Sequence, residues 1–170
     1  MVTEILLAAA ITAVFVVPAL LRPTLGRGIL SLLFLGGGLF NLLYTFPNAP
    51  RSLVDLVATA PIPPYREVVA MAVAWQAAPA LALATVACEF TAGGLILWRG
   101  PSARLALLGA GAWGFGMLPV IPPEGMLVGV ALTGAPGLAA LLLARRTYAD
   151  SVLTVAWRYL HGPRPDPQAA

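Results

Sequence analysis

The chain has 170 residues, of which 59% are hydrophobic and only 10% are charged. Soluble domains carry about 25% charged residues, so this composition excludes a water-soluble globule and predicts an integral membrane protein that binds no nucleic acid. All ten basic residues are arginines, and there is one histidine and one cysteine. These counts exclude a lysine Schiff base, bis-histidine haem ligation, a three-histidine zinc site and a disulfide within the chain.

Five apolar stretches are long enough to cross a bilayer, which takes about 20 residues per helix. A helix satisfies its own backbone hydrogen bonds within the hydrocarbon. We therefore predict an all-α fold, a polytopic transmembrane helical bundle. The predicted spans are residues 5–21, 28–46, 79–98, 105–121 and 126–144.

The third span is predicted to begin at a proline break. The apolar stretch 68–98 would form roughly 46 Å of helix, which exceeds a hydrocarbon core of about 30 Å. Pro79 is the natural break, because a proline inside a helix removes one hydrogen bond. We expect a cap helix over residues 65–78 at the outer surface. The outer loop before it is expected to hold a short surface helix over residues 52–60.

The distribution of arginines predicts the orientation. Eight arginines fall on one side of the five predicted spans and two on the other, and arginine-rich loops stay in the cytoplasm. We therefore expect a bacterial cytoplasmic membrane protein with its N-terminus outside and its C-terminus in the cytoplasm. The first group is Arg22, Arg27, Arg99, Arg104, Arg145, Arg146, Arg158 and Arg164, and the second is Arg51 and Arg66.

These features divide the chain into three parts. Residues 1–146 form the predicted five-span bundle. Residues 147–162 carry apolar side chains at helical spacing beside Arg158, which indicates a cytoplasmic amphipathic helix. That helix lies on the membrane surface or packs on the bundle or a neighbour. Residues 163–170, which are polar and rich in proline, are expected to be disordered.

Glu89 is the only acidic residue inside any predicted span. It precedes Trp98 by nine residues, which places it roughly 14 Å from the inner surface. Ionisable residues at such depth are costly and often mark functional sites, so Glu89 is a candidate ligand contact or proton relay. The alternative is a neutral acid that holds two helices together through a hydrogen bond. The expected neighbours of Glu89 are Thr85, Trp113, Thr12 and Thr133.

Three further residues are candidates for binding. Asn41 is expected roughly 21 Å above Arg27, where a hydrogen bond between helices is the simpler role. Gln76 and Trp75 are predicted at the outer interface, where they would form a roof over the bundle. The lone cysteine, Cys88, is expected to pack as a small hydrophobic residue.

Two stretches resemble the DoxX family of small bacterial membrane proteins. RGILSLLFLGGGLFNLLY, residues 27–44, resembles the family's arginine-led first helix, and ACEFTAGGLILWRGPSARLALLGAGAW, residues 87–113, resembles its helix with a glutamate and a glycine pair. The resemblance implies a four-helix core, to which this chain adds an N-terminal helix. On this match Glu89, Gly93 and Gly94 carry the family's pattern, whereas Asn41 stands where relatives often carry lysine. Similar proteins are linked to quinone-coupled sulfur oxidation or membrane redox complexes.

Two functions remain open at this point. The first is an accessory subunit that packs against another membrane protein, or against further copies of itself, in a larger and possibly quinone-linked complex. The second is a stand-alone binder or isomerase of a lipidic molecule (a quinone, an isoprenoid or a sterol-like compound) around Glu89. Neither function requires a cofactor held by this chain. In the second function, the bound molecule would be a quinone or a lipid. A transporter ranks behind them because no inverted repeat is evident.

Reporter fusions test the predicted topology. A fusion at Pro61 should report an external location and one at Arg99 a cytoplasmic location, because arginine-rich loops are retained inside. Paired reporters, one active only outside the membrane and one only in the cytoplasm, measure this directly. Fusions that report the same side at both positions would contradict the five-span topology.

Overall fold

The computed structural model describes residues 1–59, 62–118, 121 and 125–162. These residues form helices joined by turns, with no strand among them, so the predicted all-α fold is confirmed. A π-helical turn, Asn41–Thr45, extends the second helix. The helices are α1 (Val2–Leu21), α2 (Pro23–Phe40), α3 (Ala49–Thr59), α4 (Pro63–Ala74), α5 (Ala78–Leu97), α6 (Pro101–Gly116), α7 (Met126–Ala144) and α8 (Val152–His161).

Four helices are long and apolar enough to cross a membrane: α1, α2 with its π-helical extension, α5 and α7. This is the pattern of a multi-pass membrane protein. The remaining predicted span corresponds to α6, which has 16 residues and a length of about 24 Å. Ile121, which follows α6 in the sequence, packs on Gly129 of α7. A fifth crossing by this segment stays a prediction.

Five helices form a ring in the order α2, α1, α7, α6 and α5, and α5 closes the ring by packing along α2. The N-terminal helix α1 packs along α7, so it is part of the ring wall. Large apolar side chains cover the outside of the ring; Leu32, Leu105 and Leu6 are each at least 65% exposed. Such a surface is suited to contact with lipid chains.

Glycines allow the closest helix contacts in the ring. At Gly114 of α6, a Cβ atom would lie 2.7 Å from the carbonyl oxygen of Thr133 and 2.9 Å from the Cα atom of Gly137, both on α7. Backbone atoms cannot give way to such a contact, so glycine sets how closely α6 and α7 approach. Gly109, on the same helix, has nothing within 4 Å of its Cβ position.

The predicted break at Pro79 is confirmed, although the cap helix ends earlier than expected. α4 ends at Ala74, and Gln76 adopts a left-handed backbone conformation with φ 55°. α5 then begins at Ala78 with Pro79 in its first turn, where a proline costs no helical hydrogen bond. The surface helix predicted over residues 52–60 is α3, which starts three residues earlier; Ala60 lies outside the described residues.

The α3–α4 segment is attached to the start of α5 by a small apolar cluster. Ala49, Ala78 and Ala82 are buried together, and Phe46 packs against them. Because alanines bring the backbones close, this contact holds α3 against the first two turns of α5. The cluster thus anchors the α3–α4 segment at the opposite end of α5 from Trp98.

Arg27 is buried inside the fold, with 1% of its surface exposed. Its Nε atom donates to the carbonyl oxygen of Ile96 at 3.0 Å, and its Nη2 atom donates to that of Trp98. The Nη1 atom donates to the carbonyl oxygen of Asp150 at 3.3 Å. The guanidinium also lies 4.0 Å from the ring centre of Tyr148, in cation–π contact. The sequence prediction that Arg27 precedes its span is wrong, because α2 begins four residues before it.

The loops that carry most of the arginines meet at one end of the bundle. We call this the arginine end, comprising residues 20–28, 96–104 and 143–151. There the Arg146 side chain donates to the carbonyl oxygen of Leu20 at 3.0 Å, and the Gly100 N–H donates to that of Tyr148 at 2.9 Å. Burial raises the pKa of the Tyr148 phenol, which the charges of Arg27 and Arg146 oppose.

The C-terminal helix α8 begins at the arginine end. The Ser151 side chain accepts a hydrogen bond from the Thr154 N–H at 3.1 Å, which is an ordinary N-terminal cap. Val152 is buried and lies 3.9 Å from the Cβ position of Gly28. Trp157 and Leu160, farther along, are at least 50% exposed. The first turn therefore packs on α2, while the rest presents an apolar surface; the tail 163–170 lies outside the described residues.

Replacing Arg27 tests whether the arginine end depends on it. Arg27→Leu should lower the free energy of unfolding by about 3 kcal/mol, because buried carbonyl oxygens lose their donors. Arg27→Lys should recover only part of this, since an ammonium group cannot reproduce the planar fork of a guanidinium. Unfolding in mixed micelles gives the free energies. Arg22→Leu, at an exposed position one turn away, is the control, and an equal loss in both variants would contradict the role of Arg27.

Candidate functional site

A cleft of about 540 Å³ lies between α5 and α6 on the side of the bundle. Its mouth is open, since Leu105 is 69% exposed and Trp113 is 42% exposed. The cleft adjoins the middle of α5, a helix long and apolar enough to cross a membrane. The lining residues are Phe34, Thr85, Ala87, Cys88, Glu89, Thr91, Ala92, Leu95, Leu105, Ala106, Gly109, Ala110 and Trp113.

A smaller cavity of about 170 Å³ lies beside the cleft, between α2, α6 and α7. Glu89 reaches it from α5. Phe34, Glu89, Ala110 and Trp113 line both spaces and form the wall between them. The other residues around the smaller cavity are Leu33, Gly37, Gly114, Met117, Leu132, Thr133 and Pro136. Among the described residues, Glu89 is thus the one carboxyl group that borders both spaces.

Glu89 is hydrogen-bonded to α2. The Asn41 Nδ2 atom donates to the Glu89 Oε2 atom at 2.8 Å, and Glu89 is 9% exposed. This confirms the prediction that Glu89 faces a polar group on another helix, although Asn41 was not its expected partner. The depth estimates separated the two residues by roughly 7 Å. Side chains lean toward the N-terminus of their helix, and α2 and α5 are antiparallel, so the two side chains lean toward each other and close the gap.

The π-helical turn presents Asn41 to Glu89. The Phe46 N–H donates to the Asn41 carbonyl oxygen at 2.7 Å, which closes the wider turn. The Thr45 hydroxyl donates to the Asn41 Oδ1 atom at 2.7 Å. A threonine in a regular helix often bonds the backbone carbonyl four residues earlier, whereas here its hydroxyl holds the side-chain amide. The amide nitrogen of Asn41 is therefore turned toward Glu89.

Two glycines make room for the Glu89 side chain. A Cβ atom at Gly37 would lie 3.4 Å from the Glu89 Oε1 atom, and one at Gly38 would lie 3.4 Å from the Glu89 Cβ atom. Ser31 precedes Gly37 by six residues in α2, and its hydroxyl donates to the Gly93 carbonyl oxygen of α5 at 2.8 Å. The glycine run of α2 thus lets α5 approach closely and places the carboxyl between the two cavities.

The remaining sequence candidates fall into two groups. Thr85 and Trp113 line the cleft with Glu89, and Thr133 lines the smaller cavity. Trp75 and Gln76 lie in the turn between α4 and α5 and line neither space, so a roof over the bundle stays a prediction. Trp75 is 76% exposed.

Two further expectations change in the structure. Thr12 bonds the carbonyl oxygen of Ala8 within its own helix and borders neither cavity. Cys88 is exposed and lines the cleft, so it is not a packed core residue. Sequence reasoning did not single out Thr45 or Phe34. Asn41 and Thr45 are four residues apart, which puts both on one helical face. This spacing was the feature of the sequence that could have identified Thr45.

Residues 1–59, 62–118, 121 and 125–162 contain no cluster of three histidine, cysteine, aspartate or glutamate side chains that would hold a metal ion. Comparisons with protein-family models, curated proteins and solved structures find no match to this chain. The resemblance to the DoxX family therefore stays a prediction.

Substitutions at Glu89 test its bond to Asn41. Glu89→Gln should fold with near-native stability, because the amide keeps the shape and an oxygen acceptor. Glu89→Leu should lower the free energy of unfolding by about 1 to 2 kcal/mol through loss of the bond between helices.

A double-mutant cycle with Asn41→Leu isolates the pair and should give a coupling energy of about 1 kcal/mol. Thr85→Val is the control for stability, since the Thr85 hydroxyl bonds Leu81 of its own helix. A coupling energy of zero would show that the bond contributes nothing to the fold.

Proposed function

We propose that this protein binds a lipidic small molecule, such as a quinone, an isoprenoid or a sterol-like compound, in the cleft between α5 and α6. The observation that carries this proposal is the buried Glu89 carboxyl, which borders an apolar cleft that opens on the side of the bundle. Ligand sites are typically spaces of about 300 to 1,000 Å³ lined by apolar groups with a few placed polar groups. The cleft and Glu89 fit that description.

The open side of the cleft defines the route of the ligand. A molecule dissolved in the lipid can move sideways between α5 and α6, with no need to pass through water. Its chain would lie along Leu95, Leu105 and Trp113, and its polar end would meet Glu89. Lipid solubility is therefore the first requirement for the ligand, and one polar group at one end is the second.

Binding is favoured over turnover because the site has few titratable groups. Among the residues that the structure describes, Glu89 and Cys88 are the only acidic or thiol side chains lining the two spaces. An isomerase of the second sequence hypothesis needs one group to give a proton and one to take it. Glu89 alone would have to do both, so we propose a binding protein.

Packing against another membrane protein is the second candidate function. Gly36 on α2 and Gly94 on α5 are exposed, with nothing within 4 Å of their Cβ positions. Small residues on a lipid-facing surface allow a helix of another protein, or of a second copy, to approach closely. This supports the role of accessory subunit, for which a quinone-linked redox complex is one candidate. Purification in native membranes should then yield a partner in fixed stoichiometry.

A bacterial cytoplasmic membrane and a DoxX-like identity belong to the same proposal. The convergence of Arg22, Arg99, Arg104, Arg145 and Arg146 near one end of the bundle supports a cytoplasmic location for that end. The N-terminus of α1 lies at the opposite end and would be external. The outer segment α3–α4 would then lie on the external surface of the membrane.

Photolabelling in lipid nanodiscs tests the binding proposal. The probe is a 15-carbon prenol that carries a phenyldiazirine, and the labelled peptides are mapped by mass spectrometry. We expect saturable labelling of α5 and α6, which a tenfold excess of unlabelled prenol suppresses. Gly109→Leu fills the cleft and should reduce the labelling about tenfold. Gly36→Leu is the matched control, because that glycine is also open but lies away from the cleft. Labelling that is even around the bundle and does not saturate would refute the proposal.

A further inference from the structure

We infer that Glu89 donates a hydrogen bond to the ligand through its Oε1 atom, so that the ligand carries a carbonyl oxygen on a head group the size of a single ring. The inference rests on the proposed binding function and adds the chemistry of the ligand. It is built on the Thr45–Asn41–Glu89 hydrogen bonds and on the smaller cavity.

The first step is the orientation of the Asn41 amide. The Thr45 hydroxyl donates to the amide oxygen, and the amide nitrogen donates to the Glu89 Oε2 atom. An amide that accepts at one end must offer its N–H groups at the other. Oε2 is therefore the accepting oxygen of Glu89.

The second step is the position of the proton. Among the described residues, no arginine lines either cavity, and the guanidinium of Arg27 is engaged at Ile96, roughly 10 Å farther along α5. An isolated carboxylate in apolar surroundings is costly, so the carboxyl group is neutral. With Oε2 accepting from Asn41, the proton resides on Oε1. Glu89 therefore offers one O–H donor.

The O–H group at Glu89 Oε1 faces the smaller cavity. Oε1 lies 3.4 Å from the Cβ position of Gly37, closer than Oε2 at 3.8 Å, and Gly37 lines the smaller cavity. That cavity measures about 170 Å³, comparable with the roughly 150 Å³ of an engineered cavity that holds one benzene molecule. A single six-membered ring fits there, with its carbonyl on Oε1. The chain attached to the ring would pass the wall formed by Phe34 and Trp113 into the larger cleft.

Competition against the photolabel measures this preference. The competitors are 2-decyl-3,5,6-trimethyl-1,4-benzoquinone, its hydroquinone, and the matching hydrocarbon 1-decyl-2,4,5-trimethylbenzene, called decylbenzene below. All three share the chain and the ring, and they differ in whether the ring offers acceptors, donors or neither. We expect the quinone to halve the labelling at a mole fraction in lipid about tenfold lower than decylbenzene, with the hydroquinone between them. Glu89→Leu should remove the difference between quinone and decylbenzene.

The outcomes separate the two proposals. If the prenol label is not saturable in the wild-type protein, the binding function fails and this inference fails with it. If labelling saturates but decylbenzene competes as well as the quinone, the binding function stands and the inference is overturned. Tighter competition by the hydroquinone would show that Oε1 accepts a hydrogen bond, which also overturns it.

Thr45→Val tests the orientation step by itself. Without the hydroxyl, the Asn41 amide is free to turn its oxygen toward Glu89, and the carboxyl can then accept from the ligand. The preference for quinone over hydroquinone should fall at least threefold, while the thermal midpoint of the protein changes little. Thr12→Val is the matched control, because the Thr12 hydroxyl bonds only its own helix, away from both cavities. An unchanged preference in Thr45→Val would overturn the positioning role of Thr45.

Discussion

The helix ends at the arginine end determine much of this structure, because their free carbonyl groups must find donors away from water. The last turn of any helix leaves carbonyl oxygens without partners. Arg27 supplies donors to Ile96 and Trp98 at the end of α5 and to Asp150 before α8. The buried charge is favourable there because the C-terminal end of a helix is partly negative and the ring of Tyr148 covers the guanidinium. One side chain thus joins α2, α5 and the loop before α8.

The register of α2 against α5 follows from that junction. Once Arg27 is opposite Ile96, the contacts between the two antiparallel helices continue turn by turn, through Ser31 and Gly93 and then through Gly38 and Glu89. Asn41 is the last member of this series. The hydrogen bond that orients the Glu89 carboxyl therefore depends on an arginine more than two helical turns away. We expect damage at Arg27 to affect the cavities as well as stability.

The cleft exists because α6 packs more closely on α7 than on α5. Gly111 and Gly114 of α6 face α7, where a larger side chain would strike Leu141 or the backbone at Gly137. On its other side α6 carries Gly109 and Trp113, which border open space. Small residues let two helices approach closely, so α6 lies close to α7 and farther from α5. The gap between α5 and α6 is the cleft, with Glu89 at its inner wall.

Composition and hydropathy by themselves determined the membrane class, the all-helical fold, the break at Pro79 and the place of Glu89 within an apolar helix, because each depends on how a short stretch of chain interacts with lipid. The tertiary structure alone decided that Arg27 is a buried junction, that Asn41 is the partner of Glu89, and that Trp75 and Gln76 lie away from the site. Counting residues along a helix gives depth, but it gives neither the lean of a side chain nor the face that a neighbouring helix covers. Those depend on the register between helices that are far apart in sequence, and that register is set by side-chain contacts across the bundle.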